Sequence, residues 1–257
     1  MRLTRVHVDT ALEPGSVVEL PADGAAHVAK VLRARSGDAL ILFNGDGLEF
    51  AGTVVRVRGA QVSAAVGEAH RVDRESPLAL TLVQCVPRGD RMDLIVQKAT
   101  ELGVARIVPV LSQRSVVRLD AKQGEAKMAH WRAIAVGACE QCGRNRVPRI
   151  EAPRPLIHFL GDAPMNPVRL VLEPDLEPNG AMQRIADAVE IAIGPEGGFS
   201  ADELEGFRIS GYLRVRLGPR TLRAETAAIA ALAWLQARFG DMQPGNFEPG
   251  RLSEYCA

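Results

Sequence analysis

The apolar run Val189-Glu190-Ile191-Ala192-Ile193 stops at Gly194-Pro195-Glu196-Gly197-Gly198, which places three glycines and a proline within five residues. Ser200-Ala201-Asp202-Glu203 then reads as a capping box, so a helix opens there. Strand, glycine-rich loop, helix: this order lets the backbone pass close to a ligand, because glycine carries no side chain to block it. A second loop of the same kind follows the expected strand 213–217, with the sequence Leu217-Gly218-Pro219-Arg220-Thr221-Leu222-Arg223-Ala224-Glu225-Thr226. Each loop alone could be a tight βα turn. Two of them at strand ends, both leading into helices, point to one pocket at the edge of an open α/β sheet.

The rest of the C-terminal part follows the same rhythm. Strands are expected over 78–86, 105–111, 168–172 and 189–193, and helices over 90–102, 125–142, 181–188 and 221–239. Met92, Ile95, Val96, Ala99 and Leu102 share one face of the helix over 90–102, which Gly103 ends. Such alternation predicts a mainly parallel sheet covered by helices. Residues 1–71 read differently, as short β-like runs with one helix over 24–32 and a hairpin turn at Asn44-Gly45-Asp46-Gly47, which fits a small β-barrel. Arg71-Val72-Asp73-Arg74-Glu75-Ser76-Pro77 is a charged junction between the two parts. The domains are therefore expected at 1–71 and 75–242, with a Pro- and Gly-rich tail over 243–257.

Charge is balanced overall but not along the chain. Residues 84–154 hold 13 Lys/Arg against 7 Asp/Glu, and residues 155–257 hold 9 against 14. The basic block is either a polyanion footprint or a solvated face, and charge alone does not separate the two. Cys139-Glu140-Gln141-Cys142 has no second cysteine pair to complete a zinc site, and it ends a helix-like run. Buried packing is the expectation for it, and no metal is expected. Met1-Arg2-Leu3-Thr4-Arg5 lacks the apolar region of a signal peptide and no run reaches membrane-span length, so a cytoplasmic protein is expected.

Neither loop carries a dinucleotide or P-loop fingerprint. Pro195 and Pro219 remove backbone donors that a phosphate cradle would use. A neutral or zwitterionic ligand held by backbone groups fits better, and S-adenosylmethionine (SAM) is of that kind. Arg220 and Arg223 stand at the expected start of the last helix, where positive charge opposes the helix dipole. Either they are a solvated helix start or they face something anionic.

Together, Gly194-Pro195-Glu196-Gly197-Gly198-Phe199-Ser200 and Leu217 to Ala227 resemble the SAM-binding signature of the 16S rRNA (uracil-1498-N3) methyltransferases, the RsmE type of the SPOUT superfamily. Gln97-Lys98-Ala99-Thr100-Glu101-Leu102-Gly103-Val104 and the stretch from Ala138 to Pro148 agree with it. The resemblance runs over about residues 1–242. Ala224 stands where many relatives have threonine, and the tail from Gln243 reads as an extension.

The resemblance implies a PUA-like β-barrel, followed by a SPOUT domain with a C-terminal trefoil knot. It implies a homodimer with the active site completed at the interface, SAM as methyl donor, and N3 of a uridine in 16S rRNA of the 30S subunit as acceptor. Cofactor contacts carried over are Leu172, Glu173, Gly194, Pro195, Glu196, Gly197, Gly198, Leu217, Gly218, Leu222 and Thr226. For catalysis Arg223 is favoured as charge stabiliser, with Arg144 a further candidate; Glu225 or Glu140 could accept the proton, and water could too. RNA grip is assigned to Arg2, Arg5, Lys30, Arg33 and Arg35 in the first domain and to Arg88, Arg114, Arg118 and Arg146 in the second. Two alternatives remain at this point: a SPOUT methyltransferase acting on another RNA, and a non-catalytic ribosome-assembly factor on the same fold.

Overall fold

A computed structural model describes residues 3–162, 168–174 and 187–242. Arg2, most of the helix expected over 181–188 and the tail over 243–257 lie outside the described residues.

In the N-terminal part, strands β1 (Arg5–His7), β2 (Val17–Glu19), β3 (Ala39–Phe43), β4 (Leu48–Arg58) and β5 (Gln61–Arg71) form one sheet in the order β1-β3-β4-β5-β2. The β3–β4 hairpin turns where the sequence placed it. Gly45 and Gly47 take φ of 92° and 102°, and the side chains of Asn44 and Asp46 accept from the backbone N–H of Asp46 and Leu48. Val6, Leu40, Leu42, Phe50, Val54, Val62 and Val66 point to one shared core. The strand path described is open, with β1 and β2 at its edges, rather than a closed ring. The expected helix over 24–32 is a short helix α1 (Ala22–Ala26) that widens into a π-helical turn over His27–Val31. This segment has one acidic and one basic residue and no cap side chain to hold a regular helix.

The second sheet is wholly parallel. Its strands are β6 (Ala79–Cys85), β7 (Arg106–Leu111), β8 (Arg149–Ile150), β9 (Arg154–Pro155), β10 (Val168–Leu172), β11 (Ala188–Ile193) and β12 (Leu213–Val215), in the order β12-β10-β11-β6-β7-β8 with β9 also on β7. Helices cover both faces, as a parallel sheet requires. Leu80, Leu82, Ile107, Leu170, Ile191 and Ile193 face one way, against α2 (Arg91–Glu101), α3 (Ala121–Cys142) and α6 (Ala224–Phe239). Val83, Val108, Val110, Val171 and Ala192 face the other way, against α4 (Leu156–Gly161) and α5 (Ala201–Ile209) through Leu156, Phe159 and Phe207. The period-2 alternation thus sorts each strand into two cores.

Helix ends follow their caps. Ser200 and Glu203 form the expected capping box on α5. Helix α3 begins at Ala121, four residues before its expected start, because Asp120 and Gln123 make a second capping box. Helix α6 begins at Ala224, three residues late, because Arg223 is still extended at φ −64°, ψ 154°. No helix among the described residues is long and apolar enough to cross a membrane.

Candidate active site

Parallel strands align their C-terminal ends, so the loops after β10, β11 and β12 emerge side by side. They enclose a cavity of about 490 Å3. Leu172, Glu173 and Pro174 come from the first loop; Gly194 to Gly198 from the second; and Leu217, Gly218, Arg220, Thr221, Leu222 and Arg223 from the third. The sequence-based expectation for Leu172, Glu173, Gly194, Pro195, Glu196, Gly197, Gly198, Leu217, Gly218, Leu222 and Arg223 therefore falls on a single lining.

Gly194, Gly198 and Gly218 have separate reasons to be glycine. Gly198 and Gly218 hold φ of 65° and 68°. A Cβ at Gly194 would stand 3.3 Å from the Phe199 ring, which is itself packed edge-on to Phe207 in the core. A Cβ at Gly197 would meet the Arg114 side chain at 3.4 Å, an ordinary van der Waals contact, so that position tolerates a methyl group.

Charged side chains fix the loops to their surroundings. Glu196 lines the cavity, but its carboxylate accepts from the backbone N–H of Arg88 at 3.2 Å and is paired with Arg91 on α2. Burial raises the Glu196 pKa, and the hydrogen bonds from its own and Arg88's amides, with the Arg91 charge, outweigh that and leave it below the usual carboxylate value. Glu173 is likewise paired, with Arg214. Arg114 donates from Nη1 to the Gly197 carbonyl at 2.9 Å. Arg114, expected on the RNA side, is exposed and also lines the cavity, and its place after β7, on the same sheet edge, is the signal for that second position. Arg91 was missed as well. It lies on the first turn of α2, within reach of Glu196 and with Nε 3.9 Å from Glu225 Oε2.

Four expected roles change. Arg144 is buried, and its guanidinium is paired with Glu75 and donates to the Thr100 and Val104 carbonyls at 2.8 and 3.0 Å. It lies outside the cavity with its donors spent, so it is a structural residue. Arg5 is buried too, paired with Glu49 at 2.7 Å and donating to Asn145 and the Arg144 carbonyl, which removes it from the RNA surface. Glu225 faces Arg91 rather than the cavity, and Oε2 has no hydrogen-bond partner. Thr226 is exposed and outside the lining, whereas Ala224 and Ala227, on the other face of α6, belong to it. Glu140 lies at the junction of the two sheets and accepts from the His7 N–H at 3.0 Å; burial raises its pKa.

Lys30, Arg33, Arg35, Arg88, Arg118 and Arg146 are all at least partly exposed. Cys139 is fully buried, its thiol 3.5 Å from the Arg146 carbonyl, and burial pushes its pKa to about 12. Among the described residues no group of His, Cys, Asp and Glu is arranged to hold a metal.

A family model for an RNA methyltransferase domain matches residues 74–236, and one for an RNA methyltransferase PUA domain matches residues 20–63. The chain is 31% identical to the ribosomal RNA small subunit methyltransferase E of Buchnera aphidicola subsp. Schizaphis graminum over 94% of this chain and 98% of that protein. It is 31% identical to the protein of the same name from Bacillus subtilis, over 86% and 90%. A Legionella pneumophila methyltransferase solved with bound SAM superposes with a TM-score of 0.87 at 40% identity, covering 94% of this chain and all of that one. A ribosomal RNA small subunit methyltransferase E from Neisseria gonorrhoeae, bound to S-adenosyl methionine, gives 0.85 at 33% identity with the same coverage. With a parallel α/β sheet, a pocket at its C-terminal edge and relatives matched nearly end to end, the chain belongs to the ribosomal RNA small subunit methyltransferase E family of RNA methyltransferases.

Proposed function

We propose that the protein transfers a methyl group from SAM to N3 of a uracil in the 16S rRNA of the small ribosomal subunit, in the cytoplasm. The observation that carries this reading is the single cavity built from three strand-end loops. Its volume, about 490 Å3, is in the usual range of about 300–1,000 Å3 for small-molecule sites. Leu172, Ile193, Leu217 and Leu222 offer apolar walls to an adenine ring, the glycines offer bare backbone, and Arg114 and Arg220 offer charge to a carboxylate. SAM bound there supplies an electrophilic methyl group.

The chain's own residues do the rest. The three loops hold the donor and leave one open side for the base. Arg223, at the N-cap of α6, lines that cavity and stabilises the negative charge that uracil gains as N3 loses its proton. Glu225 is a positioning residue that faces Arg91, and the N3 proton leaves to water.

A trefoil knot is part of the proposal. What supports it is the path of the chain: β12 lies at the sheet edge beyond β10, and the third loop then leads back to α6, which packs on α2, β6 and β11. A homodimer is proposed because α6 is apolar nearly all round, with Ile229, Ala230, Ala233 and Trp234 still partly exposed. Residues 1–71 form the RNA-gripping domain and 75–242 the methyltransferase domain. The test is incubation with labelled SAM and 30S subunits that lack the modification, followed by nucleoside mass spectrometry. We expect 3-methyluridine at one 16S position. No transfer, with SAM binding intact, overturns the reading.

A further inference from the structure

A second, smaller cavity opens beside the first, beyond the C-terminal end of β6. It measures about 240 Å3, with Val86, Pro87, Met92, Val117 and Trp131 among its walls. That is below the range of about 300–1,000 Å3 for whole small-molecule ligands and leaves room for one planar group. The two cavities are neighbours, since the loop that follows Pro87 is the one whose Arg88 N–H binds Glu196.

Two carboxylates border the cavity, and they differ. Asp93 is occupied: Oδ1 accepts from Trp131 Nε1 at 3.2 Å, and Oδ2 lies 2.8 Å from His130 Nε2. Asp90 precedes α2 without capping it through its side chain, and among the described residues no cation or donor binds its carboxylate. Three exposed cations lie on the wall or next to wall residues in sequence. Lys127 is part of the wall, Arg118 lies between the wall residues Val117 and Leu119, and Arg88 lies between Pro87 and Gly89. None of the three side chains is paired with a carboxylate among the described residues, whereas Arg106, Arg149 and Arg154 all share Glu151. A small cavity with apolar walls, one cation on its wall and two more beside wall residues in sequence, suits an unstacked nucleobase with its flanking phosphates.

We propose that this cavity seats one base of the RNA strand adjacent to the target nucleotide, and that Asp90 selects a base bearing an exocyclic amine. The inference rests on the RNA methyltransferase reading above. A carboxylate only accepts hydrogen bonds. Guanine, adenine and cytosine present amino donors to it, whereas uracil presents two carbonyl oxygens around a single N–H. Uracil's one donor, its N3–H, lies between two carbonyl oxygens that repel a carboxylate, so Asp90 favours a neighbour of the methylated uracil over that uracil itself. Arg88, Arg118 and Lys127 hold its phosphates.

The test is fluorescence anisotropy with labelled hexaribonucleotides, all uridine or with one central guanosine, adenosine or cytidine. Substituted hexamers should bind the wild-type protein about tenfold more tightly than the all-uridine one. Asp90→Ala should erase that preference. Arg118→Ala combined with Lys127→Ala should weaken every hexamer alike and reduce the salt slope by about 2. SAM affinity, measured by calorimetry, should stay at the wild-type value in both variants. Equal affinity for all four hexamers, a preference that survives Asp90→Ala, or no binding of any hexamer overturns the proposal. Subunit methylation by the same preparations keeps the two readings apart. Wild-type methylation without base preference removes the subsite alone; base preference without methylation removes the uracil reading alone.

Discussion

Arg223 stands where a cation is unfavourable for the helix it precedes, yet it is exposed on a cavity wall. Its removal should therefore spare the fold and damage the reaction. Arg223→Ala is expected to lower kcat by about 10²–10³-fold while SAM affinity changes little, as for loss of a preorganised charge stabiliser. Single-turnover methylation of 30S subunits beside calorimetry measures both, and full activity in the variant clears Arg223. Gly198 tests the loop rather than the charge. Its φ of 65° is left-handed, and an added Cβ would touch nothing within 4 Å, so Gly198→Ala isolates backbone strain. It should cost about 1–2 kcal/mol, seen as a lower melting temperature and weaker SAM binding. Residues of this sort were legible in the sequence, because glycine and proline at strand ends report backbone geometry directly. Arg5 and Arg144 were not. An arginine's letter does not say whether its guanidinium meets water or is buried against a partner far along the chain, such as Glu49 or Glu75.

At the scale of elements, the glycine-rich loop is held by a latch. Arg91 on the first turn of α2 pairs with Glu196, and Glu225 on α6 lies behind it at 3.9 Å. Both side chains of the pair are more than a third exposed, so the latch contributes at most about 1 kcal/mol. Glu196→Gln should thus weaken SAM binding by no more than about fivefold. The sign of the pH effect follows from the lowered Glu196 pKa. A carboxyl that binds its proton less readily in the folded protein contributes stability above its ordinary value of about 4.3, and loses it as pH falls through the folded value. SAM affinity in wild type should accordingly be flat from neutral pH down to about pH 5 and fall below it, with a shallower fall in Glu196→Gln. Calorimetric titrations at stepped pH check this. Most strands, the α5 cap and the pocket's loops were legible because each is set by near neighbours in sequence, whereas β1, β8, β9 and α4 were not expected, since runs of two to six residues carry little periodicity. The early start of α3 escaped because Asp120 and Gln123 precede the apolar periodicity. The late start of α6 escaped because the third loop uses Thr221 to Arg223 to complete the cavity, which overrides their helical pattern.

The whole molecule depends on how its two sheets meet. Arg5 of β1 reaches Asn145 and the Arg144 carbonyl, Arg74 spans Glu49 and the Gly143 carbonyl, and the His7 N–H reaches Glu140. Arg144 in turn ties the junction residue Glu75 to the end of α2 through the Thr100 and Val104 carbonyls. Such a network joins segments some 140 residues apart in sequence, so no local pattern could announce it. It explains why the stretch from Ala138 to Pro148 reads as part of a family signature although it lies outside the cavity. That division predicts opposite behaviours for two arginines. Arg144→Ala strands a carboxylate and two buried carbonyls, and should destabilise the fold by about 3 kcal/mol. Urea unfolding should show the loss, and kcat per folded molecule should stay near wild type because no group in the cavity has moved. Arg223→Ala should show the reverse, an unchanged urea midpoint with a collapsed kcat. If Arg144→Ala instead kept its midpoint and lost its rate, the buried network would be the catalytic one, and the assignment of charge stabilisation to Arg223 would have to be withdrawn.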